Sequence, residues 1–267
     1  MSINIFFPPR YERFASVQIR AKQIGDFIGA RIQSEEVSET DTCIYVVTVP
    51  REKVSKNVYL DILDREDMLR RAKRYPWYKV IAMSNLAKEH ISDRLGRNDI
   101  IVIPNHHCNF ERFVKPMKEI ETVGCVGNKH SLQCDVNIIK NLLSKIEVKF
   151  IFFREYRNRM DVVGFYKNID LQVVFRPSED SAKFKSPLKL QNAGSFGIPT
   201  IAYPEYVYQN EWDGCFEPAN TVEELVEKVK WFKENNDVYG QMRDKGIRRA
   251  EETHIENVAK LYRSLDN

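Results

Sequence analysis

The segment KFKSPLKLQNAGSFGIPTIA, residues 183–202, has the pattern of a short helix with a distinct start and end. Ser186 is a suitable N-cap residue, and Pro187 suits the first helical position. Gly197, followed closely by Pro199, is typical of the point where a helix ends. The sequence therefore predicts a helix that begins after Ser186 and ends before Gly197.

Three lysines, Lys183, Lys185 and Lys189, lie around the start of this predicted helix. The N-terminus of a helix carries about half a positive charge, so a cation there costs about 0.3–1 kcal/mol. An anion would reverse this cost, because it would meet the lysines and the backbone N–H groups together. Phosphate is the expected anion at Lys185, Ser186 and Lys189, and a solvated basic loop is the alternative.

Three further residues of the second half lie at the ends of short apolar runs. Gly127 closes TVGCVG, where a glycine lets a ligand approach the backbone, although a simple turn is equally consistent with it. Arg176 follows LQVVF and is a second candidate for binding phosphate, with a surface ion pair as the alternative. Glu205 follows PTIAYP and is a candidate for contacting sugar hydroxyls or a base edge, or for capping a helix.

Carboxylates and imidazoles occupy similar positions in the first half. YLDILDRED places Asp61 and Asp64 at the end of a predicted strand, and VIPNHHCNF places His106 and His107 after another. Such groups can act as general bases toward a hydroxyl group. Helix capping is the alternative for the aspartates, and a linker position is the alternative for the histidines. A metal site of His106, His107 and Cys108 is not expected, because adjacent residues rarely point at one ion.

The composition is that of a folded protein, and we expect it to be cytoplasmic. Of 267 residues, 43% are hydrophobic and 30% charged, and the net charge of +3 is too small to favour nucleic-acid binding. Five scattered cysteines without a CxxC pair indicate reduced thiols rather than disulfides or a zinc site. No apolar run reaches the ~18 residues of a transmembrane helix, and the start of the sequence lacks a signal-peptide core.

The elements that must position these residues alternate along the chain. Short apolar runs separated by amphipathic segments are typical of βαβ units with parallel sheets. The pattern restarts after the charged segment 106–121, which we interpret as a linker. The predicted fold class is α/β, with two Rossmann-like domains, residues 1–113 and 114–267, that face a cleft. Predicted strands cover 3–7, 43–49, 58–63, 79–84, 99–105, 122–127, 149–153, 171–175, 199–204 and 214–218. Predicted helices cover 13–32, 85–96, 131–146, 221–235, 237–252 and 255–265.

Residues 121–267 resemble the C-terminal half of GT-B glycosyltransferases, in particular the family-4-like enzymes (glycosyl transferases group 1). SPLKLQNAGSFGIPTIA, followed by PEYVYQN, is similar to their nucleotide-sugar-binding segment, and TVGCVG is similar to the glycine loop of their C-terminal domain. The tail is also similar, including the turn at Arg249 and Ala250. The resemblance implies a final helix that returns to the first domain and transfer of a sugar from a nucleoside-diphosphate sugar.

The sequence departs from this family at two positions. A pair of glutamates separated by seven residues marks the family, whereas the corresponding residues here are Phe184 and Asn192. The resemblance assigns ribose binding to Asn192, whose amide can both donate and accept hydrogen bonds. It assigns the diphosphate to Lys189, which would stabilise the charge on the leaving nucleotide. Either lysines replace the missing contacts or transfer activity is lost.

Lys189, His106 and Asp64 are the candidate catalytic residues. The first half would bind the acceptor. An inverting reaction would need a base among its aspartates and histidines, whereas a retaining reaction, which the resemblance implies, would use them for positioning. No Asp-x-Asp motif is present, so no metal is expected.

Two other functions stay open, a nucleotide-sugar-binding protein without catalysis and a sugar-nucleotide epimerase of the same fold. A Rossmann dehydrogenase is disfavoured, because GxGxxG follows the first strand of neither half. The base (for example uracil or guanine), the sugar and the acceptor (a glycan, a lipid-linked molecule or a protein) are not determined. Residues 10–31 alternate basic and apolar side chains, so a peripheral membrane contact is an alternative to packing on the sheet.

Overall fold

A computed structural model describes residues 2–50, 55–177 and 185–266 of the chain. The described residues divide into two compact units, each with a parallel sheet and helices. The first unit comprises residues 2–50, 55–106, 185–186 and 255–266, and the second comprises 107–177 and 187–254.

The first unit contains a parallel sheet of six strands among its described residues. The strands are β1 (Ile3–Phe6), β2 (Arg31–Ile32), β3 (Thr42–Val46), β4 (Asn57–Asp61), β5 (Lys79–Ala82) and β6 (Ile100–Val102). Their order in the sheet is β2-β1-β3-β4-β5-β6. In the central register, Ile44 of β3 pairs with Ile5 on one side and Tyr59 on the other. All five residues of β3 are buried, which explains why this strand is a continuous apolar run.

The helices of the first unit include the last helix of the chain. They are α1 (Ala15–Val17), a π-helical turn (Gln18–Gln23), α2 (Ile24–Ile28), α3 (Glu66–Arg74), α4 (Asn85–Leu95) and α11 (Ile255–Arg263), with 3-10 turns at Pro9–Tyr11 and Ser264–Asp266. The Ser84 hydroxyl caps α4 by accepting a hydrogen bond from Ala87 N at 3.1 Å. Helix α11 packs against α2. The predicted return of the final helix to the first domain is confirmed.

The second unit contains a parallel sheet of five strands among its described residues. The strands are β7 (Thr122–Val126), β8 (Lys149–Phe153), β9 (Leu171–Val174), β10 (Thr200–Ala202) and β11 (Glu217–Pro218), in the order β11-β10-β9-β7-β8. The helices are α5 (Val136–Ser144), α6 (Arg159–Asn168), α7 (Leu188–Ser195), α8 (Tyr206–Glu211), α9 (Val222–Glu234) and α10 (Asn236–Glu251), with a 3-10 turn at Lys129–Ser131. In the described part of the chain, no helix is both long and apolar enough to cross a bilayer.

Helices α7 and α10 approach each other closely at two glycines. A Cβ atom at Gly194 would lie 2.7 Å from the carbonyl oxygen of Gly246, which is closer than real Cβ atoms come to a backbone oxygen. Because neither glycine has a side chain, the backbones of the two helices can meet at this point. This contact fixes α7 beside the sheet.

The start of α7 differs from the prediction. The helix begins at Leu188, and Pro187 rather than Ser186 occupies the N-cap position, without a side-chain capping bond. The Ser186 hydroxyl is buried and has no hydrogen-bond partner among the described residues. The prediction that Ser186 caps the helix was wrong. The sequence placed Pro187 at the first helical position, whereas the helix starts one residue later, at Leu188. The predicted end is confirmed, since Gly197 adopts a φ of +69° just beyond the helix.

The segment predicted as a linker is largely built into the second unit. Asn109 Nδ2 donates to the carbonyl oxygen of Ser195 at 2.8 Å, and Lys115 Nζ lies 2.7 Å from Asp170 Oδ1. Lys115 N also donates to the carbonyl oxygen of Phe196 at 3.0 Å. The two units therefore divide between residues 106 and 107, seven residues before the predicted boundary at 113 and 114.

Candidate functional site

The carboxyl edge of the second sheet has a topological switch point between β7 and β9. Strand β8 pairs with β7 on one side and β9 pairs with it on the other, so the chain reverses its direction across the sheet. Ligands of open parallel sheets bind outside the carboxyl ends of the strands at such a point. Gly127 directly follows β7, and Arg176 follows β9 by two residues.

Gly127 occupies a position that only glycine fits. Its φ of +138° is a backbone conformation that L-amino acids rarely adopt. A Cβ atom there would lie 2.1 Å from Ser131 Oγ and 2.9 Å from Lys189 Nζ. The loop after β7 is therefore held close to a hydroxyl and an ammonium group, and the prediction that Gly127 lies at this edge agrees with the structure.

Lys189 lies in the first turn of α7 and points to the end of β7. Its Nζ donates a hydrogen bond to the carbonyl oxygen of Val126, and its own carbonyl oxygen accepts one from Gln172 Nε2 at 3.0 Å. Gln172 lies on β9, so the start of α7 is tied to both strands of the switch point. The ammonium group thus adds positive charge beside the Gly127 loop at the end of β7.

Lys189 and Arg176 act on the same part of the sheet. Burial raises the pKa of the Cys125 thiol to about 11, and the positive charges of Lys189 and Arg176 oppose this rise. Cys125 lies on β7, so the charges of both residues reach the strand that ends at Gly127. Lys189 is therefore the cation that makes this end of β7 suitable for an anionic ligand, since Glu205 neutralises Arg176.

Arg176 forms a buried, two-pronged ion pair with Glu205. Arg176 Nε lies 2.6 Å from Glu205 Oε1, Nη2 lies 2.5 Å from Oε2, and Nη2 also donates to the Tyr208 hydroxyl at 3.2 Å. Burial acts to lower the pKa of Arg176, but Tyr208 and Glu205 outweigh it and the pKa is raised. Both carboxylate oxygens of Glu205 are engaged, so the geometry assigns Glu205 to holding Arg176 rather than to contacting a sugar or a base.

Asn192 is held inside the second unit. Its Oδ1 accepts a hydrogen bond from the backbone N–H of Cys108 at 2.8 Å, and the residue is 7% exposed. The role of Asn192 in ribose binding stays a prediction, and the structure shows that its Oδ1 is engaged by the chain segment 107–121. Sequence spacing could not reveal this contact, since Cys108 lies 84 residues away.

The remaining residues of the lysine segment are separated by the division into units. Lys185 and Ser186 group with the first unit, whereas Lys189 belongs to the second. Lys183 and Phe184 lie outside the described residues. Of the two described lysines of this segment, Lys189 contacts the end of β7, and the anion site stays a prediction.

Asp61 and Asp64, the two aspartates at the end of the predicted strand, occupy different environments. Asp61 is fully buried, and its Oδ2 lies 2.5 Å from Arg20 Nε, whereas Asp64 is exposed. Burial raises the pKa of the Asp61 carboxyl, and the Arg20 guanidinium opposes that rise. Arg20 also donates to the carbonyl oxygen of Ile103 at 2.9 Å. Since Arg20 lies in the π-helical turn and Asp61 on β4, their ion pair fixes the turn to the sheet.

His106 is buried next to the same turn. Its Nε2 lies 3.1 Å from the carbonyl oxygen of Ile19, and the residue is 2% exposed. His106 belongs to the first unit and His107 to the second, so the two adjacent histidines serve different units. Among the described residues, no three His, Cys, Asp or Glu side chains are placed to hold a metal ion.

Two residues of the site were missed by the sequence prediction. Ser131 closes the loop after β7, and nothing in its sequence context distinguishes it from an ordinary turn serine. Tyr208 lies three residues after Glu205, a helical spacing that brings both side chains to one face and provides the signal that could have identified it.

Two parallel-sheet α/β units with these strand orders are the GT-B fold of glycosyltransferases, and solved structures bear this out. TarM of S. aureus has a TM-score of 0.64 and 12% identity over 86% of this chain, which spans 55% of the length of TarM. A glycosyltransferase from Rickettsia africae has a TM-score of 0.64 and 9% identity over 99% of this chain and 97% of that one. HepE from Anabaena, in complex with UDP, has a TM-score of 0.62 and 10% identity over 99% of both chains. No family model and no curated protein matches the sequence.

Proposed function

We propose that this protein is a glycosyltransferase that transfers a sugar from a nucleoside-diphosphate sugar to an acceptor hydroxyl group. The observation that carries the proposal is the contact of Lys189 with the Gly127 loop at the switch point of the second sheet. A helix start, a glycine loop and a cation are together a combination that suits a diphosphate. The solved complexes of HepE with UDP, and with UDP and glucose, support the same ligand class.

In this proposal, Lys189 stabilises the leaving group. Breaking the bond between sugar and diphosphate leaves additional negative charge on the diphosphate, and a fixed ammonium group lowers the energy of that state. Glu205 holds two guanidinium nitrogens of Arg176 and neutralises its charge, so Arg176 would contribute hydrogen bonding rather than net charge. We propose that the reaction retains the anomeric configuration and needs no metal, with the charge of Lys189 in place of a divalent ion.

The first unit contributes the acceptor side of the proposed reaction. Asp64 is an exposed carboxylate two residues after Ile62 and three after the end of β4, where a hydroxyl-bearing acceptor can reach it. His106 is buried and would act by positioning, since its Nε2 lies against the carbonyl oxygen of Ile19. In a retaining reaction neither residue needs to attack the sugar, and both would orient the acceptor.

The proposal is tested by ligand binding followed by turnover. A nucleotide that binds the native state alone raises the melting temperature, so UDP, GDP and ADP are compared in a thermal-shift assay. Hydrolysis of UDP-glucose and UDP-N-acetylglucosamine is then measured with and without EDTA. The expected result is a raised melting temperature with one nucleotide and donor cleavage that survives EDTA.

Two results would contradict the proposal. If no nucleoside diphosphate raises the melting temperature, the nucleotide site is wrong. If a nucleotide binds but its sugar conjugates stay intact with every acceptor of a mixed panel, the protein is a nucleotide-sugar-binding protein, the alternative favoured by the absence of glutamate at Phe184 and Asn192.

A further inference from the structure

A cavity of about 360 Å³ opens at the switch point of the first sheet. Strand β2 pairs with β1 on one side and β3 pairs with it on the other, so the chain reverses direction between β1 and β3. Residues 8–11 follow β1 and residues 47–48 follow β3, and both segments line the cavity. The volume is within the range of small-molecule sites, roughly 300–1,000 Å³.

The cavity is lined by three guanidinium groups and one carboxylate. Arg65 engages Asp67 through two hydrogen bonds, from Nε to Oδ1 at 2.9 Å and from Nη2 to Oδ2 at 3.1 Å. Arg10 and Arg71 also line the cavity. The pKa of the Asp67 carboxyl is lowered by its hydrogen bonds with Arg65 and by the charges of Arg65 and Arg71. The lining therefore has an excess of positive charge, which favours a ligand with an anionic group.

An aromatic ring lies beneath two of these arginines. The guanidinium carbon of Arg10 lies 4.8 Å from the centre of the Tyr11 ring, and that of Arg65 lies 5.3 Å from it. Stacking on one ring restricts both side chains, so less conformational entropy is lost when they bind an anion. Tyr11 and the neighbouring prolines add apolar surface for the body of a ligand.

Backbone strain is located at the same place. Val47, which lines the cavity, has a φ of +58°, a conformation that is rare for a β-branched residue. Leu63, two residues before Arg65, also has a φ of +58°. Such conformations are strained in residues other than glycine, and positions of this kind cluster at ligand sites. The strain is an observation independent of the charges.

We propose that this cavity binds a phosphate group of the acceptor, with Arg10 and Arg71 as its direct ligands and Arg65 held in place by Asp67. The role as an acceptor site rests on the proposed glycosyltransferase function, whereas phosphate binding itself does not. Planar guanidinium groups bind phosphate through paired hydrogen bonds, and three guanidinium groups against one carboxylate leave an excess of positive charge that suits the phosphate charge of about −1.5 to −2. The acceptor would be a phosphate ester that carries a free hydroxyl group.

The test measures binding of glucose 6-phosphate, inorganic phosphate, gluconate and glucose by titration calorimetry, with UDP present to occupy the nucleotide site. The variants are Arg10→Gln and Arg71→Gln. Arg70→Gln is the matched control, since Arg70 is the exposed neighbour on α3 and lies outside the cavity lining. The expected result is tighter binding of glucose 6-phosphate than of glucose or gluconate, and about tenfold weaker binding in each cavity variant but not in the control.

The outcomes separate this proposal from the proposed function. Equal glucose 6-phosphate affinity in the Arg70→Gln and Arg71→Gln variants would overturn the cavity assignment, even if UDP binds normally. Stronger binding of gluconate than of glucose 6-phosphate would overturn the choice of phosphate. If glucose 6-phosphate binding depends on Arg71 while UDP fails to bind at all, the anion site is supported and the glycosyltransferase function is contradicted.

Discussion

Gly127 is a residue at which the second unit tolerates little change. Gly127→Ala should lower the free energy of unfolding by about 1–3 kcal/mol, because it adds a Cβ against Ser131 Oγ and imposes an unfavourable backbone conformation. Urea denaturation measures this loss. Gly164→Ala is the control, since a Cβ at this helical position meets nothing within 4 Å. The control should be stabilised by roughly 0.5–1 kcal/mol, and an equal loss in both variants would contradict the account.

The ion pair of Arg176 and Glu205 provides a second prediction at the residue scale. Glu205→Ala leaves a buried guanidinium without its carboxylate, and breaking such a pair typically costs about 3–5 kcal/mol. Glu234→Ala removes an exposed carboxylate that lies 3.9 Å from Lys230 and should cost less than about 1 kcal/mol. Thermal or urea unfolding measures the free energy of unfolding of both variants. Similar losses of stability in the two would show that the buried Arg176 does not need the Glu205 carboxylate.

At the scale of elements, the long apolar strands were predictable because central strands of a parallel sheet are buried on both faces. β3 and β7 match the runs at 43–49 and 122–127 to within a few residues. The two-residue strand β2 (Arg31–Ile32) lies within residues 13–32, which were predicted as a helix, and that part of the prediction was wrong. The helix ends at Ile28, and Gly29 follows it with a φ of +74°. The helix predicted from residue 131 begins at Val136, because Asp135 caps it by accepting a hydrogen bond from Asn137 N at 2.8 Å.

The candidate site was predictable where its chemistry is local. Gly127 and Lys189 were identified from a glycine turn and a helix start, both short-range patterns. The contacts of Asn192 with Cys108 and of Asp61 with Arg20 join distant segments, so spacing along the chain could not reveal them. Tertiary contacts therefore decided which polar residues are structural.

Asp41, in the loop before β3, should make the free energy of unfolding depend on pH. Asp41 accepts hydrogen bonds from Ser38 N and Ser2 N, both at 3.0 Å, and these bonds, with that of Ser38 the largest, lower the pKa of its carboxyl to about 2. An unfolded aspartate has a pKa of about 3.9. The contribution of Asp41 is therefore complete above about pH 4 and is lost as the pH falls toward 2.

Urea midpoints at pH 5 and pH 3 test this dependence. Asp41→Asn should reduce the difference between the two midpoints, whereas Asp26→Asn, an exposed change on α2, should leave it as in the parent protein. An unchanged difference in Asp41→Asn would show that the loop does not bind the ionised carboxylate preferentially.

At the scale of the whole molecule, the division into two α/β domains followed from the restart of the strand pattern, and the fold was predictable in that sense. The boundary was not, because the charged segment 107–121 is held by side-chain contacts such as that of Lys115 with Asp170. The first unit is also completed by the end of the chain, since α11 packs against α2.

Tyr262 tests the contribution of α11 to the first unit. Tyr262→Ala should destabilise the first unit by about 3–5 kcal/mol, since the ring is 1% exposed. Tyr262→Phe should have little effect, because the hydroxyl is buried without a hydrogen-bond partner among the described residues. Hydrogen exchange should show faster exchange at β3 and β4 in Tyr262→Ala and unchanged exchange at β7. Uniformly faster exchange in both sheets would contradict the assignment.

The central claim is that Lys189 binds the diphosphate of a nucleotide at the Gly127 loop. Titration calorimetry of UDP with the parent protein, Lys189→Ala and the exposed control Lys140→Ala on α5 tests it most directly. A charge-assisted hydrogen bond contributes roughly 1.5–3 kcal/mol, so Lys189→Ala should weaken binding by about 10- to 150-fold while the control binds normally. Parent-like UDP affinity in Lys189→Ala, together with a lower melting temperature, would show that the lysine is structural and that the nucleotide site is wrong.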